Sequence, residues 1–214
     1  MHLLLDSGAV NEIREASSWG VIRGATTNPT LLRKAGVESI TRFVSSWEPS
    51  WGTLHVEVFA ADREGMVEQA LRWVALGKPI AIKVPCTPEG LAACRQLAQR
   101  DIPVNVTLVF SLSQALLAAE AGATYVSPFV GRLEDHGMKG VQLVADIRNG
   151  YDRTGVPTQI LAASLRNPQH VQEVALAGAH WATVPWDVLQ KLFHHPLTVD
   201  GLKRFDADAA HLQD

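Results

Sequence analysis

Lys83 is the residue with the most chemistry to offer. It is the one ionisable group in the run Pro79-Ile80-Ala81-Ile82-Lys83-Val84-Pro85. An ammonium among Ile80, Ile82 and Val84 loses water that nothing adjacent in sequence replaces, so burial favours the neutral amine. Bringing a lysine from about 10.4 toward 7 corresponds to roughly 4–5 kcal/mol against the charged form. A fold that accepts this gains a nucleophile able to condense with a ketone. The competing reading is a strand-end lysine that reaches solvent or pairs with a carboxylate.

Other polar residues interrupt apolar runs in the same manner: Asp6, Glu57, Asn105, Thr107 and Ser127. Carboxylates beside an amine can exchange protons with it, and hydroxyls and amides can hold a polyhydroxylated substrate. Arg132 follows one such run, and Ser164 and Arg166 follow the next. Guanidinium forks bind phosphate oxygens bidentately, so these three form a candidate anion site, although a lone loop arginine can equally serve as a surface ion-pair partner. His55 and Glu57 share a strand face, but two ligands do not make a metal site. Cys86 and Cys94 read as apolar fillers, not as a zinc site or disulfide framework. The pair His194-His195 stands at a helix end and needs no function.

These residues need elements to position them. Strands are expected at 2–6, 21–26, 53–58, 80–84, 102–108, 123–129, 158–163 and 180–184, each followed by helical periodicity. Ser7, Thr87 and Ser111 are expected N-caps, with Pro88 in a first helical position. A Gly-rich loop is expected after the sixth strand, and a last helix over 197–212. Eight alternations with no composition break predict a single (β/α)8 TIM-type barrel over residues 1–214, with an extra C-terminal helix. Neither a dinucleotide fingerprint nor a phosphate loop supports an open doubly wound sheet. Alternation then sends Leu5, Leu54, Val56, Ile82, Val84, Val106 and Leu108 toward the helices, and Asp6, Glu57, Lys83, Asn105, Thr107 and Ser127 into the barrel. All six come late in their strands, at the end where barrel active sites gather. A buried polar network that only fixes register is the alternative.

Composition narrows the rest. The 214 residues carry 19 basic and 22 acidic side chains, a net charge of −3, with no basic run to suggest nucleic acid. No apolar stretch approaches the roughly 18 residues of a membrane span, and the N-terminus lacks a signal-peptide pattern. A cytoplasmic protein is expected. Trp73 and Trp181 read as packing residues, not as a stacking platform.

Seven motifs, in order, resemble the transaldolase family, in its short subfamily that also contains the fructose-6-phosphate aldolases. They are Leu5-Asp6, Gly24-Ala25-Thr26-Thr27-Asn28-Pro29-Thr30, Val56-Glu57, Ile82-Lys83-Val84-Pro85, Asn105-Val106-Thr107-Leu108, Ser127-Pro128-Phe129-Val130-Gly131-Arg132 and Ala163-Ser164-Leu165-Arg166-Asn167. The resemblance implies a metal-free, cofactor-free class I mechanism with Lys83 as the Schiff-base lysine. It implies Asp6 as the base for the C4 hydroxyl, and Glu57 with Thr107 as a proton shuttle through a water. It implies Asn28 and Asn105 on the donor hydroxyls, Ser127 near C1, and Arg132, Ser164 and Arg166 on the phosphate. Glu57 and Phe129 resemble the transaldolases, where the aldolases are similar in carrying Gln and Tyr. Transfer of a dihydroxyacetone unit between sugar phosphates is therefore expected, with release of free dihydroxyacetone as the alternative and a non-catalytic phosphosugar-binding barrel as the remote one. A homo-oligomer, a pentamer or decamer, is also implied, through a C-terminal tail that is short in this chain.

Overall fold

The computed structural model describes residues 1–212, and in them strands and helices alternate from the first residues onward. The strands are β1 (His2–Asp6), β2 (Gly24–Thr26), β3 (Thr53–Glu57), β4 (Ile80–Pro85), β5 (Val104–Val109), β6 (Tyr125–Pro128), β7 (Gln159–Ala162) and β8 (Trp181–Pro185). All pair in parallel with their sequence neighbours, and β8 closes on β1 with Leu3 beside Ala182 and Leu5 beside Val184. This is the expected (β/α)8 barrel. Between the strands run α1 (Val10–Ser18), α2 (Pro29–Lys34), α3 (Ile40–Ser45), α4 (Arg63–Val74), α5 (Pro88–Ala98) and α6 (Leu112–Glu120). The later half holds α7 (Val130–Glu134), α8 (Gly140–Thr154), α9 (Pro168–Leu176), α10 (Trp186–Leu192) and the C-terminal α11 (Pro196–Ala209).

Most helices begin where a side-chain oxygen can accept from an otherwise unpaired first-turn N–H. Asp62 caps α4, Thr87 caps α5, Ser111 caps α6 and Asn167 caps α9. Ser7 does not cap α1: Ala9 holds that position, while the Ser7 hydroxyl donates to Glu12 and accepts from the Ala9 N–H. The stretch expected as a loop after β6 coils instead into α7. Its first N–H groups, on Val130 and Gly131, donate to the carbonyls of Ala163 and Ser164 at 3.0 and 2.9 Å.

The core lies between the strands and the helices, not along the barrel axis. Leu5, Leu54, Val56, Ile82, Val84 and Val106 all join that outer shell, as alternation predicts. Leu108 does not. From Val106 to Val109 the register advances three residues on β5 against two on β6, and Leu108 is the extra one, at φ 61°. The bulge hands the outward position to Val109, which is fully buried. Inside the barrel, the N-terminal end is plugged by aromatic rings. Trp181 packs on His2 and Tyr125 with centroids 4.6 and 5.9 Å away, and Tyr125 meets His55 at 4.9 Å.

The last helix differs from the others. No residue of α11 is buried, and Leu197, Leu202 and Phe205 all stand exposed. None of the described helices is long and apolar enough to cross a membrane.

The β4–α5 junction sets the placement of Lys83 and can be tested. A Cβ on Gly90 would lie 2.0 Å from the Pro85 carbonyl oxygen, a backbone atom that cannot rotate away. Gly90→Ala is expected to cost at least 2 kcal/mol, in the range of overpacked cores, while Thr87→Ala costs about 1 kcal/mol through the lost cap. Urea unfolding midpoints of the two variants check the order.

Candidate active site

Lys83 sits on β4 with 5% of its surface exposed, and its Nζ is not left among hydrocarbon. The strand register puts Glu57 of β3 directly beside it, and Glu57 Oε2 lies 3.3 Å from Nζ. The Thr27 carbonyl accepts a hydrogen bond from the same nitrogen at 2.8 Å. The apolar run therefore misdescribes the surroundings: two acceptors reach the amine, from strands distant in sequence. A carboxylate does stand beside this lysine, but inside the barrel and not at a solvent-facing strand end.

Asp6 faces the lysine from β1. Thr26 of β2 donates to Asp6 Oδ1 at 2.7 Å and lies 2.6 Å from the Thr183 hydroxyl of β8. Burial pushes the Asp6 carboxyl above the ordinary aspartate range; the Lys83 charge and the Thr26 hydrogen bond pull it part of the way back, and Glu57 opposes them. Asp6 is thus a better proton acceptor than a surface aspartate, held in place by a hydroxyl.

These groups open onto a cavity of about 100 Å³ at the C-terminal ends of the strands. Its wall includes Asp6, Thr26, Asn28, Lys83, Thr107 and Ser127, then Phe129, Arg132, Ala163, Ser164 and Thr183. Thr107 Oγ1 is enclosed and has no hydrogen-bond partner among the described residues. A hydroxyl so placed is available to a ligand. Asn28 caps α2 through Oδ1, accepting from the Leu31 N–H at 2.9 Å, so the amide nitrogen is the group it can offer to the cavity.

Asn105 stands deeper than alternation suggested. It is fully buried and absent from the cavity wall, bonded to His55 Nδ1 at 3.2 Å and to the Ser127 hydroxyl at 2.8 Å. His55 is also buried, and desolvation, with the nearby Lys83 charge, drops it to about 3. It is a neutral hydrogen-bonding ring, and among the described residues no group of three or more His, Cys, Asp or Glu is placed to hold a metal ion.

The anion candidates divide. Arg132 and Ser164 line the cavity, with the Arg132 guanidinium 4.8 Å above the Phe129 ring. Arg166 does not; its Nη2 pairs with Asp135 at 2.6 Å, and both side chains are about half exposed. Thr26 and Thr183 were not singled out in the sequence, although the alternation that found Asp6 also applies to β2 and β8. The Thr27 carbonyl carried no side-chain signal at all.

The sequence matches the family described as transaldolase/fructose-6-phosphate aldolase across residues 3–214. The chain belongs to this family. A probable transaldolase of Lysinibacillus sphaericus (strain C3-41) is 48% identical over 209 residues, covering 97% of each chain. One from Coprothermobacter proteolyticus (strain ATCC 35245 / DSM 5265 / OCM 4 / BT) is 50% identical over 214 residues, covering 97% of this chain and 96% of its own. Membership carries a transaldolase- or aldolase-type activity. Among solved structures, a mandelate oxidase superimposes with a TM-score of 0.61 over 86% of this chain and 64% of its own, at 13% identity, a likeness of fold alone.

The neutral His55 has a consequence for acid stability. Its folded value, about 3, lies below the ordinary 6.5, so the unfolded chain takes up a proton that the native ring refuses. Stability is expected to fall by roughly 1.4 kcal/mol per pH unit as pH drops from 6.5 toward 3. In His55→Gln that component should vanish, giving a shallower loss of urea midpoint between neutral and mildly acid buffers.

Proposed function

We propose that this protein is a transaldolase acting through a Schiff base on Lys83. The observation that carries the reading is the buried amine of Lys83 on the cavity wall, within reach of Glu57 and facing Asp6. The lysine passes a proton to Glu57 and attacks the C2 carbonyl of a ketose phosphate. The carbinolamine so formed loses water, carrying off the carbonyl oxygen, and leaves a protonated imine. Asp6 then takes the proton of the C4 hydroxyl, the C3–C4 bond breaks, and its electron pair moves into the imine. An aldose leaves, and a dihydroxyacetone enamine remains on Lys83. An incoming aldose aldehyde accepts the enamine carbon, and Asp6 returns its proton to the new alkoxide. Hydrolysis of the imine uses a water between Glu57 and the Thr107 hydroxyl, which has no partner among the described residues. The raised Asp6 carboxyl suits alternate uptake and release of a proton.

The donor in this reading is sedoheptulose 7-phosphate or fructose 6-phosphate, and the acceptor glyceraldehyde 3-phosphate or erythrose 4-phosphate, as in the pentose phosphate pathway of the cytoplasm. Asn28 and Ser127 hold hydroxyls, with Asn105 supporting Ser127 from below. Arg132 and Ser164 take the phosphate. Arg166 joins them by exchanging Asp135 for phosphate, a cheap exchange because an exposed ion pair contributes only about 0–1 kcal/mol. Glu57 and Phe129 favour transfer over release of free dihydroxyacetone, by the resemblance noted above. The whole of residues 1–214 acts as one domain in this reading, and the exposed apolar side chains of α11 cover a second copy in a homo-oligomer.

Incubation with fructose 6-phosphate and borohydride should leave a three-carbon adduct, mapped to Lys83 by mass. Lys83→Ala is expected to give no adduct and no turnover. Glu57→Gln should slow transfer to erythrose 4-phosphate by about a hundredfold, the scale of one acid–base group, while free dihydroxyacetone rises as a share of product. Unimpaired transfer by Glu57→Gln would remove its proton role. For the assembly, Phe205→Glu should sediment as a smaller species than the parent with its circular dichroism unchanged; equal sedimentation counts against α11 as the contact.

A further inference from the structure

Three side chains form a directed line of hydrogen bonds from the barrel interior to the cavity wall. Ser127 Oγ donates to Asn105 Oδ1 at 2.8 Å, and the Asn105 amide nitrogen lies 3.2 Å from His55 Nδ1. An amide oxygen only accepts and an amide nitrogen only donates, so this arrangement needs a lone pair on Nδ1. The imidazole must then be neutral, with its proton on Nε2. With the proton on Nδ1 instead, the amide would turn over. Ser127 would accept from Asn105 and aim its own hydrogen at the cavity. The tautomer of a ring outside the cavity wall therefore decides whether Ser127 meets a ligand as acceptor or as donor. The ring is held for the purpose: it is 1% exposed and packs edge-on to Tyr125 with centroids 4.9 Å apart. Desolvation, reinforced by the Lys83 charge, keeps it neutral well below neutral pH.

We propose that His55 is a positioning residue whose bare Nδ1 locks the Asn105 amide and thereby presents Ser127 Oγ to the cavity as an acceptor for a hydroxyl on the carbon next to the substrate ketone. The ligand half of this inference rests on Lys83 being the ketone-binding amine. Ser127 and Lys83 line the same cavity. A ketone oxygen has no proton to give and a methyl group has none that counts, whereas a hydroxymethyl group has one. The device thus selects a hydroxymethyl ketone over the corresponding methyl ketone.

Two measurements on the full chain test it. The first is the 15N spectrum of His55 in the free protein: a protonated Nε2 with a bare Nδ1 supports the proposal, and a protonated Nδ1 overturns it. The second is the ratio of kcat/KM for dihydroxyacetone to that for hydroxyacetone, each added to an aldose phosphate. His55→Leu should lower that ratio by about tenfold, the loss of one oriented hydrogen bond, while His55→Gln, which can still accept from Asn105, stays within about twofold of the parent. Ser127→Ala should lower the ratio similarly, and adding His55→Leu to it should change nothing more, because both act through one contact. A His55→Leu variant that weakens both donors equally, or that adds its full effect to Ser127→Ala, overturns the role. If fructose 6-phosphate leaves no borohydride adduct on Lys83 of the parent, the ligand assignment falls together with the proposed reaction. An adduct combined with the wrong tautomer sinks the His55 role alone.

Discussion

The contact between Lys83 and Glu57 is the constraint around which the barrel is arranged. An ammonium and a carboxylate 3.3 Å apart attract strongly once water is gone, but removing them from water costs several kcal/mol for each ion. Such a pair is poor evidence for stability and better evidence for a task. The closed sheet makes it tolerable. Parallel pairing places Glu57 beside Lys83 in register, and the Thr27 carbonyl fills a further donor position on the amine. Asp6, across the barrel, adds a second carboxyl whose own ionisation is discouraged by burial. The two acids therefore stand in different electrostatic settings beside one base. In the proposed reaction, that difference lets one handle the lysine's proton and the other the substrate's.

Packing beyond the strands keeps these distances. On one side Gly90 lets α5 approach the end of β4; on the other Gly131 lets α7 seat against the end of β7. A Cβ on Gly131 would fall 2.2 Å from the Ser164 carbonyl oxygen. Arg132 and Ser164 are thus borne by two segments in backbone contact, which fixes their end of the cavity. His170 adds to this, with Nε2 2.9 Å from Glu134 of α7 and Nδ1 accepting from the Arg166 N–H.

Much of this was legible in the residues. Alternation along β1, β3, β4 and β6 placed Asp6, Glu57, Lys83 and Ser127 inside the barrel, because a strand has a strict period of two and its outer face must be apolar to meet helices. The rule failed where the period breaks. Leu108 is the inserted residue of a bulge, which shifts the outward position by one, and nothing local announces that. It also said nothing of depth. Asn105 shares the register row of Lys83 yet lies beneath the cavity, since facing residues of a staggered barrel do not share a level. The lysine's partners are hidden for a related reason: the run shows only what precedes and follows Lys83, while the groups that reach it come from the β2 and β3 ends. Arg166 was correctly placed on a loop after β7, but its partner Asp135 is 31 residues away and has no sequence signature.

The bond from Lys83 to the Thr27 carbonyl ties the amine to main chain, one residue ahead of the Asn28 cap. No side-chain replacement at position 27 removes that oxygen, so the anchor is indifferent to point mutation there. It is vulnerable to a change of chain length instead. One residue inserted between Thr26 and Pro29 would slide a different carbonyl under the amine and carry the Asn28 amide away from the cavity. Engineers who graft new loops onto this scaffold will find that short crossover closed to them, however permissive its side chains prove.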